Sequence, residues 1–132
     1  MEFNLNTGMS YETEKVVTSH DTASHMGSGG VSVFATPAMI LWMENAALNA
    51  VKPALPRGYD TVGTFVNKTH LSATPVGMRV RVIAELIEAD GKMLTFKVKA
   101  YDEKDKIGEG THGRAIVETE RFLNKVNGKT KA

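Results

Sequence analysis

One segment of this chain has the period of a long helix, and the segments after it alternate. Thr36-Pro37 opens the helical segment, with Thr read as the N-cap and Pro at the first helical position, where its missing N–H leaves nothing unsatisfied. The helix is expected to run to Val51 or Lys52 and to stop before Pro53. Met39, Ile40, Met43, Ala46, Ala47, Ala50 and Val51 recur at spacings of three and four and build a broad apolar stripe. A lone apolar helix needs a sheet to cover it, which predicts a two-layer α+β domain.

The sheet is legible on both sides of the helix. Tyr11–Ser19 reads as a half-exposed strand, and further strands are expected near Tyr59–Ser72, Arg79–Glu88, Met93–Asp102 and Ile107–Thr119. Pro75-Val76-Gly77, Asp90-Gly91 and Glu103–Lys106 mark the turns, Asp-Gly being a strong hairpin signal. Val80, Val82, Ala84 and Leu86 alternate with more polar neighbours, as do Leu94, Phe96, Val98 and Ala100, so one face is buried. The expected order is strand, helix, then a four-stranded antiparallel meander. His20–Gly30 reads as a mobile loop and Lys52–Gly58 as a connection. Glu120–Val126 reads as a short helix and 127–132 as a frayed tail. One domain is expected over 1–132, with its core at about 11–124. A single sheet leaves two open edges, and pairing through an edge would make a dimer.

Composition removes several function classes. With 16 basic and 15 acidic residues the net charge is +1, no footprint for a nucleic acid. The absence of cysteine excludes a disulfide framework, a thiolate metal site and a cysteine nucleophile, and suits a reducing cytoplasm. No apolar run approaches a membrane span, and the stretch Met1–Asn6 has no signal-peptide character. The expectation is a cytoplasmic protein with a small ligand or a second copy of itself as partner.

Glu44 is the most informative residue. It lies on or beside the apolar stripe, four after Ile40, where a carboxylate must be paired, hydrogen-bonded or neutral. Such a group suits a general base or a nucleophile; the alternative is a boundary Glu reaching water. Thr36 would add a hydroxyl at the positive helix end, although capping alone accounts for it. The two are eight residues apart, about 12 Å along a helix axis, which argues against direct contact. His70 falls inside a strand, where a hydrogen-bonded structural role competes with acid–base work. Strict alternation puts it on one face with Val62, Thr64 and Val66, unless Gly63 or Pro75 marks a bulge. His20, Asp21 and His25 have no metal-ligand spacing, and the glycines at 27, 29 and 30 lack the rest of a phosphate loop. His112 sits in a strand, where it could be exposed. Arg114 could meet a carboxylate or a CoA phosphate, with a salt bridge to Glu as the plainer reading.

Val33-Phe34-Ala35-Thr36-Pro37, Met43-Glu44, Val62-Gly63-Thr64 and Thr69–Gly77 together resemble the fluoroacetyl-CoA thioesterase family. So do Leu94-Thr95-Phe96 through Asp102, Ile107-Gly108 and Gly110-Thr111-His112, and the resemblance spans about residues 12–124. It implies a hotdog fold, a long helix wrapped by a five-stranded antiparallel sheet, working as a dimer or a tetramer. It implies hydrolysis of a small acyl-CoA thioester without cofactor or metal, CoA being part of the substrate. Thr36, Glu44 and His70 match the family's catalytic group; Gly63, Arg114 and Phe34 fall at substrate-binding positions. The family's sites lie between subunits, so Thr36 need not face Glu44 of its own chain. The fluoroacetyl-specific member carries aromatic lid residues shortly before its Thr, whereas residues 23–30 here contain no Phe, so fluoroacetyl selectivity is not expected. The competing expectation is a hotdog module that binds acyl-CoA or another small apolar ligand without turnover.

Overall fold

The computed structural model describes residues 3–130. Helix α2 (Thr36–Val51) is the centre of the domain. Ala35, not Thr36, occupies the N-cap; Thr36 begins the helix, so its hydroxyl is released from capping. After Val51 the chain passes into a 3-10 turn, Lys52–Ala54, because Pro53 offers no N–H to extend the ladder. The buried side of α2 comprises Ala38, Met39, Trp42, Met43, Ala46, Ala47 and Val51. Ile40 and Ala50, expected on the stripe, are only half-buried, and Trp42 takes the central place.

Five antiparallel strands wrap this side: β1 (Ser10–Val16), β2 (Tyr59–His70), β3 (Arg79–Asp90), β4 (Met93–Tyr101) and β5 (Lys106–Glu118). Their spatial order is β1-β3-β4-β5-β2. The expected four-stranded meander is therefore corrected: β3, β4 and β5 form one, while β2 crosses over to pair with β5. Local alternation specifies that a strand exists and says nothing of which distant strand it joins. Between β3 and β4, Asp90 pairs with Met93, and Gly91 takes the tight turn at φ 59°, a left-handed angle that glycine adopts without strain. Val80, Val82, Ala84 and Leu86 on β3 and Leu94, Phe96, Val98 and Ala100 on β4 are all buried, as their alternation predicts. Each Val, Leu or Phe among them contributes roughly 1.5–3 kcal/mol when fully buried.

The segment expected as a loop at 20–30 holds two short helical turns, Ser19–Asp21 and α1 (Ala23–Met26). Thr22 caps α1 by accepting from the His25 N–H. Helix α3 (Thr119–Asn127) and a 3-10 turn at Gly128–Thr130 come after β5. Residues 131 and 132 of the expected tail, and Met1 and Glu2 of the N-terminal stretch, lie outside the described residues. No described helix is long and apolar enough to cross a membrane.

Two features of β2 and β5 set the geometry of the site. The register of β2 against β5 shifts between Gly63 and Phe65, leaving Thr64 as a bulge. Alternation therefore changes phase there. Thr61 and Gly63 share the helix-facing side with Val66, Lys68 and His70, whereas strict alternation would have put Val62 and Thr64 there. Opposite them, the inner face of β5 presents Gly108, Gly110, His112 and Arg114. At Gly108 a Cβ would collide with the Met39 sulfur and stand 3.4 Å from the Met43 terminal methyl. The missing side chain is what lets α2 settle on β5.

Gly108→Val should therefore lose stability, by about 1–3 kcal/mol as in other overpacked cores. Chemical denaturation reads this directly; an unchanged midpoint would show that α2 has room to spare.

Candidate active site

The structure brings Thr36 and His70 together. The first turn of α2 places the Thr36 hydroxyl at 2.8 Å from Nδ1 of His70, the last residue of β2. A cavity of about 380 Å³ opens beside the pair. Ala23, Ser28, Val33 and Phe34 line it from the α1 side, Leu71 and Ala73 from the segment after β2. Phe34 has a double role, for its buried ring also packs against Trp42 with centroids 4.6 Å apart. Nε2 of His70 is buried and has no hydrogen-bond partner among the described residues. Burial lowers the His70 pKa below 6.5, and the nearby Lys68 ammonium lowers it further, against a smaller upward contribution from the Ser72 backbone. The imidazole is thus neutral at pH 7, the form that can accept a proton.

Glu44 is not part of that pair. It is half-buried on the side of α2 that faces Gly63, and its Oε2 lies 3.0 Å from where a Cβ on Gly63 would stand. Around the same point are Cε1 of His112 at 3.6 Å and Nη1 of Arg114 at 3.7 Å. A Cβ at 63 would stand in tight contact with the carboxylate, which would have to give by a few tenths of an ångström. Within one chain, Thr36–His70 and Glu44–Gly63 form two separate clusters, as two turns of helix between Thr36 and Glu44 require.

The sequence reading left exposure of His112 open; its relative exposure is 1%. Its Nδ1 lies 2.8 Å from the carbonyl of Phe65. A carbonyl only accepts, so Nδ1 carries the proton and Nε2 is a bare acceptor. Arg114, at 7% exposure, donates from Nη1 to that Nε2 at 3.2 Å. Its Nε donates to the Thr61 hydroxyl at 2.7 Å and its Nη2 to the Thr61 carbonyl at 2.9 Å. The salt bridge to Glu read as the plain alternative for Arg114 does not form; the ion pairs among the described residues involve Arg79, Arg81 and Lys106, all at the surface. Burial pushes the His112 pKa below 6.5, with Arg114 lowering it further, while the Phe65 carbonyl and Glu44 pull the other way. Nothing in the local pattern distinguished this buried histidine; its register opposite the buried Phe96 of β4 would have found it.

A model of the fluoroacetyl-CoA-specific thioesterase family matches residues 17–120. The fluoroacetyl-CoA thioesterase of Streptantibioticus cattleyicolor is 38% identical to the chain, covering 100% of it and 99% of the relative. A crystal structure of a point mutant of the fluoroacetyl-CoA-specific thioesterase, in complex with fluoroacetate and CoA, superposes with a TM-score of 0.84. That protein shares 37% identity, over 89% of this chain and 99% of its own. A hot-dog-like protein from Thermanaerovibrio acidaminovorans, 20% identical over 97% of this chain and 95% of its own, has a TM-score of 0.90 and shares the fold.

Both His70 and His112 have depressed values in the fold, so below about pH 6.5 the unfolded chain takes up protons that the folded chain resists. The stability they contribute is complete above that pH and declines as pH falls toward the folded values. The melting temperature should therefore drop between pH 7 and pH 5, with a shallower slope in His112→Gln. Equal slopes in the two proteins would contradict a buried neutral His112.

Proposed function

The chain belongs to the family of fluoroacetyl-CoA-specific thioesterases, and from that premise we propose that Thr36, Glu44 and His70 hydrolyse small acyl-CoA thioesters at a site shared by two copies of the chain. The observation that carries this reading is the Thr36–His70 hydrogen bond at 2.8 Å beside a cavity, with an unpaired carboxylate two helical turns away. β2 is an edge of the sheet, and its residues from Gly63 to Phe65 are exposed. Two such edges meeting about a two-fold axis run antiparallel, which sets the His70 end of one strand beside the Gly63 end of the other. A homodimer of this kind supplies Glu44 from one copy to Thr36 and His70 of its partner.

In that site the thioester carbonyl lies near the start of α2, where helix N–H groups and the Gly63 N–H stabilise the developing oxyanion. Glu44 either deprotonates a water that attacks the carbonyl, giving the acid directly, or attacks with its own oxygen, giving a mixed anhydride that a water then hydrolyses to the acid and the regenerated carboxylate. The C–S bond breaks, the thiolate leaves, and the proton released by that water reaches it through His70, held by Thr36. The acyl group enters the cavity bounded by Ala23, Ser28 and Phe34, and the copy that supplies Glu44 brings its Arg114 beside it. The absence of Phe at 23–30 suits a range of small acyl groups and gives no fluoroacetyl selectivity. No cofactor enters the reaction. The cytoplasm suits a cysteine-free enzyme of CoA thioesters.

Glu44→Ala and His70→Ala should each lose at least about a hundredfold in kcat/KM, followed with acetyl-CoA and a thiol-trapping reagent. Wild-type rates in both would remove the assignment. The shared site has its own check. Mixing the two inactive variants under subunit exchange creates dimers with one intact pair, so thiol release should reappear; continued inactivity would place the three groups within one copy. A panel of acetyl, fluoroacetyl, propionyl and longer thioesters, compared by kcat/KM, should show no preference for fluoroacetyl.

A further inference from the structure

We propose that His112 is a positioning residue for this reaction: with Thr61, it holds the Arg114 guanidinium back from Glu44 and so keeps that carboxylate unpaired over Gly63. This rests on the reading of Glu44 as the reacting carboxylate.

The geometry is unusual for an arginine so near a glutamate. Arg114 Nη1 and Glu44 Oε2 flank the same point over Gly63, at 3.7 and 3.0 Å from it. A guanidinium with freedom to turn would close on the carboxylate and form a fork-to-fork pair. It does not, because hydrogen bonds from Nε, Nη1 and Nη2 fix the plane of the guanidinium. Nε and Nη2 are held by Thr61, and Nη1 is held by His112. All three side chains are buried, at 5% for Thr61, 1% for His112 and 7% for Arg114, so water does not compete for these donors.

His112 can accept only because its other nitrogen is occupied. The Phe65 carbonyl fixes the proton on Nδ1, and Phe65 stands at the register shift of β2. The bulge, the imidazole tautomer and the guanidinium are thus one connected device. The charged groups acting on it are Glu44, from α2, and Asp60, from β2, both of which stabilise the Arg114 cation. Burial keeps the imidazole neutral, as it must be to accept from a guanidinium.

An attacking carboxylate paired to arginine is a weaker nucleophile and a weaker base than a free one. Arg114 held at a distance still lends positive potential to the site without quenching Glu44. Its remaining N–H groups are left for the acyl end of the substrate.

Two polar substitutions separate the functions of the ring. His112→Asn keeps a donor for Phe65 and is too short to accept from Arg114; His112→Gln reaches with an amide oxygen. With acetyl-CoA as substrate, His112→Asn should lower kcat about tenfold or more with KM changed less than about threefold, and His112→Gln should recover to within about threefold of wild type. In an Arg114→Leu background, His112→Asn should cause no further loss, since it acts through that arginine. Should the asparagine variant not fold, Thr61→Val removes another anchor of the guanidinium at unchanged size and should lower kcat in the same way. If Glu44→Ala turns over like wild type, the reading of Glu44 falls and takes this inference with it. If Glu44→Ala is inactive while His112→Asn matches wild type, or the His112 and Arg114 losses simply multiply, this inference falls and the reading of Glu44 stands.

Discussion

The close approach of one helix to one sheet is what the rest of this structure depends on. α2 lies against β5 and β2 where the sheet presents two glycines. Gly108 leaves space for the Met39 thioether, and Gly63 leaves space for the Glu44 carboxylate. The first is a packing adaptation, joining the methionine side of α2 to the inner face of the sheet. The second uses the same device for a charged group. A carboxylate carried on a core-facing helix would ordinarily meet side chains; here it meets bare backbone, with cationic and imidazole groups just beyond.

The bulge at Thr64 decides which residues share that space. Without it, the inner face before the shift would consist of Val62 and Thr64, and neither Thr61 nor Gly63 would face α2. With it, Thr61 and Gly63 lie on the side of Lys68 and His70, opposite His112 and Arg114. One extra residue in one strand thereby assembles two polar clusters on a face that would otherwise be a continuation of the core. Bulges cluster near active sites for this reason: they redirect a side chain without disturbing the rest of the ladder.

Much of this fold could be read from the residues. Thr36-Pro37 and Pro53 bracketed the helix, and the alternation of Val80–Leu86 and Leu94–Ala100 identified the buried face. Glu44 stood out because a carboxylate on an apolar stripe violates the pattern around it. The unreadable part was non-local. The pairing of β2 with β5 is a matter of distant register, and the phase change at Thr64 has only a neighbouring glycine as its local sign. The burial of His112 depends on its register opposite Phe96 across β4 and β5, and the partners that occupy Arg114 come from β2 and from His112 itself. Thr36 shows the converse. It was read as the N-cap, but Ala35 holds that place, and a residue one position inside the helix is free to use its hydroxyl elsewhere, here on His70.

The ionisable groups of the site are kept apart in a consistent manner. His70 is held neutral by burial and by Lys68, yet leaves a nitrogen without a partner among the described residues. Arg114 stays close to a carboxylate without pairing, because neutral acceptors on Thr61 and His112 take its hydrogen bonds. In both places a polar group is left without the ion pair or hydrogen bond that its neighbours could offer, and at His70 it stands beside an open cavity. A folded protein sustains such groups only where surrounding structure over-determines them. The glycine contacts of α2, the bulge of β2 and the paired inner face of β5 are that surrounding structure, which is why residues concerned with packing and residues concerned with chemistry alternate along the same two strands.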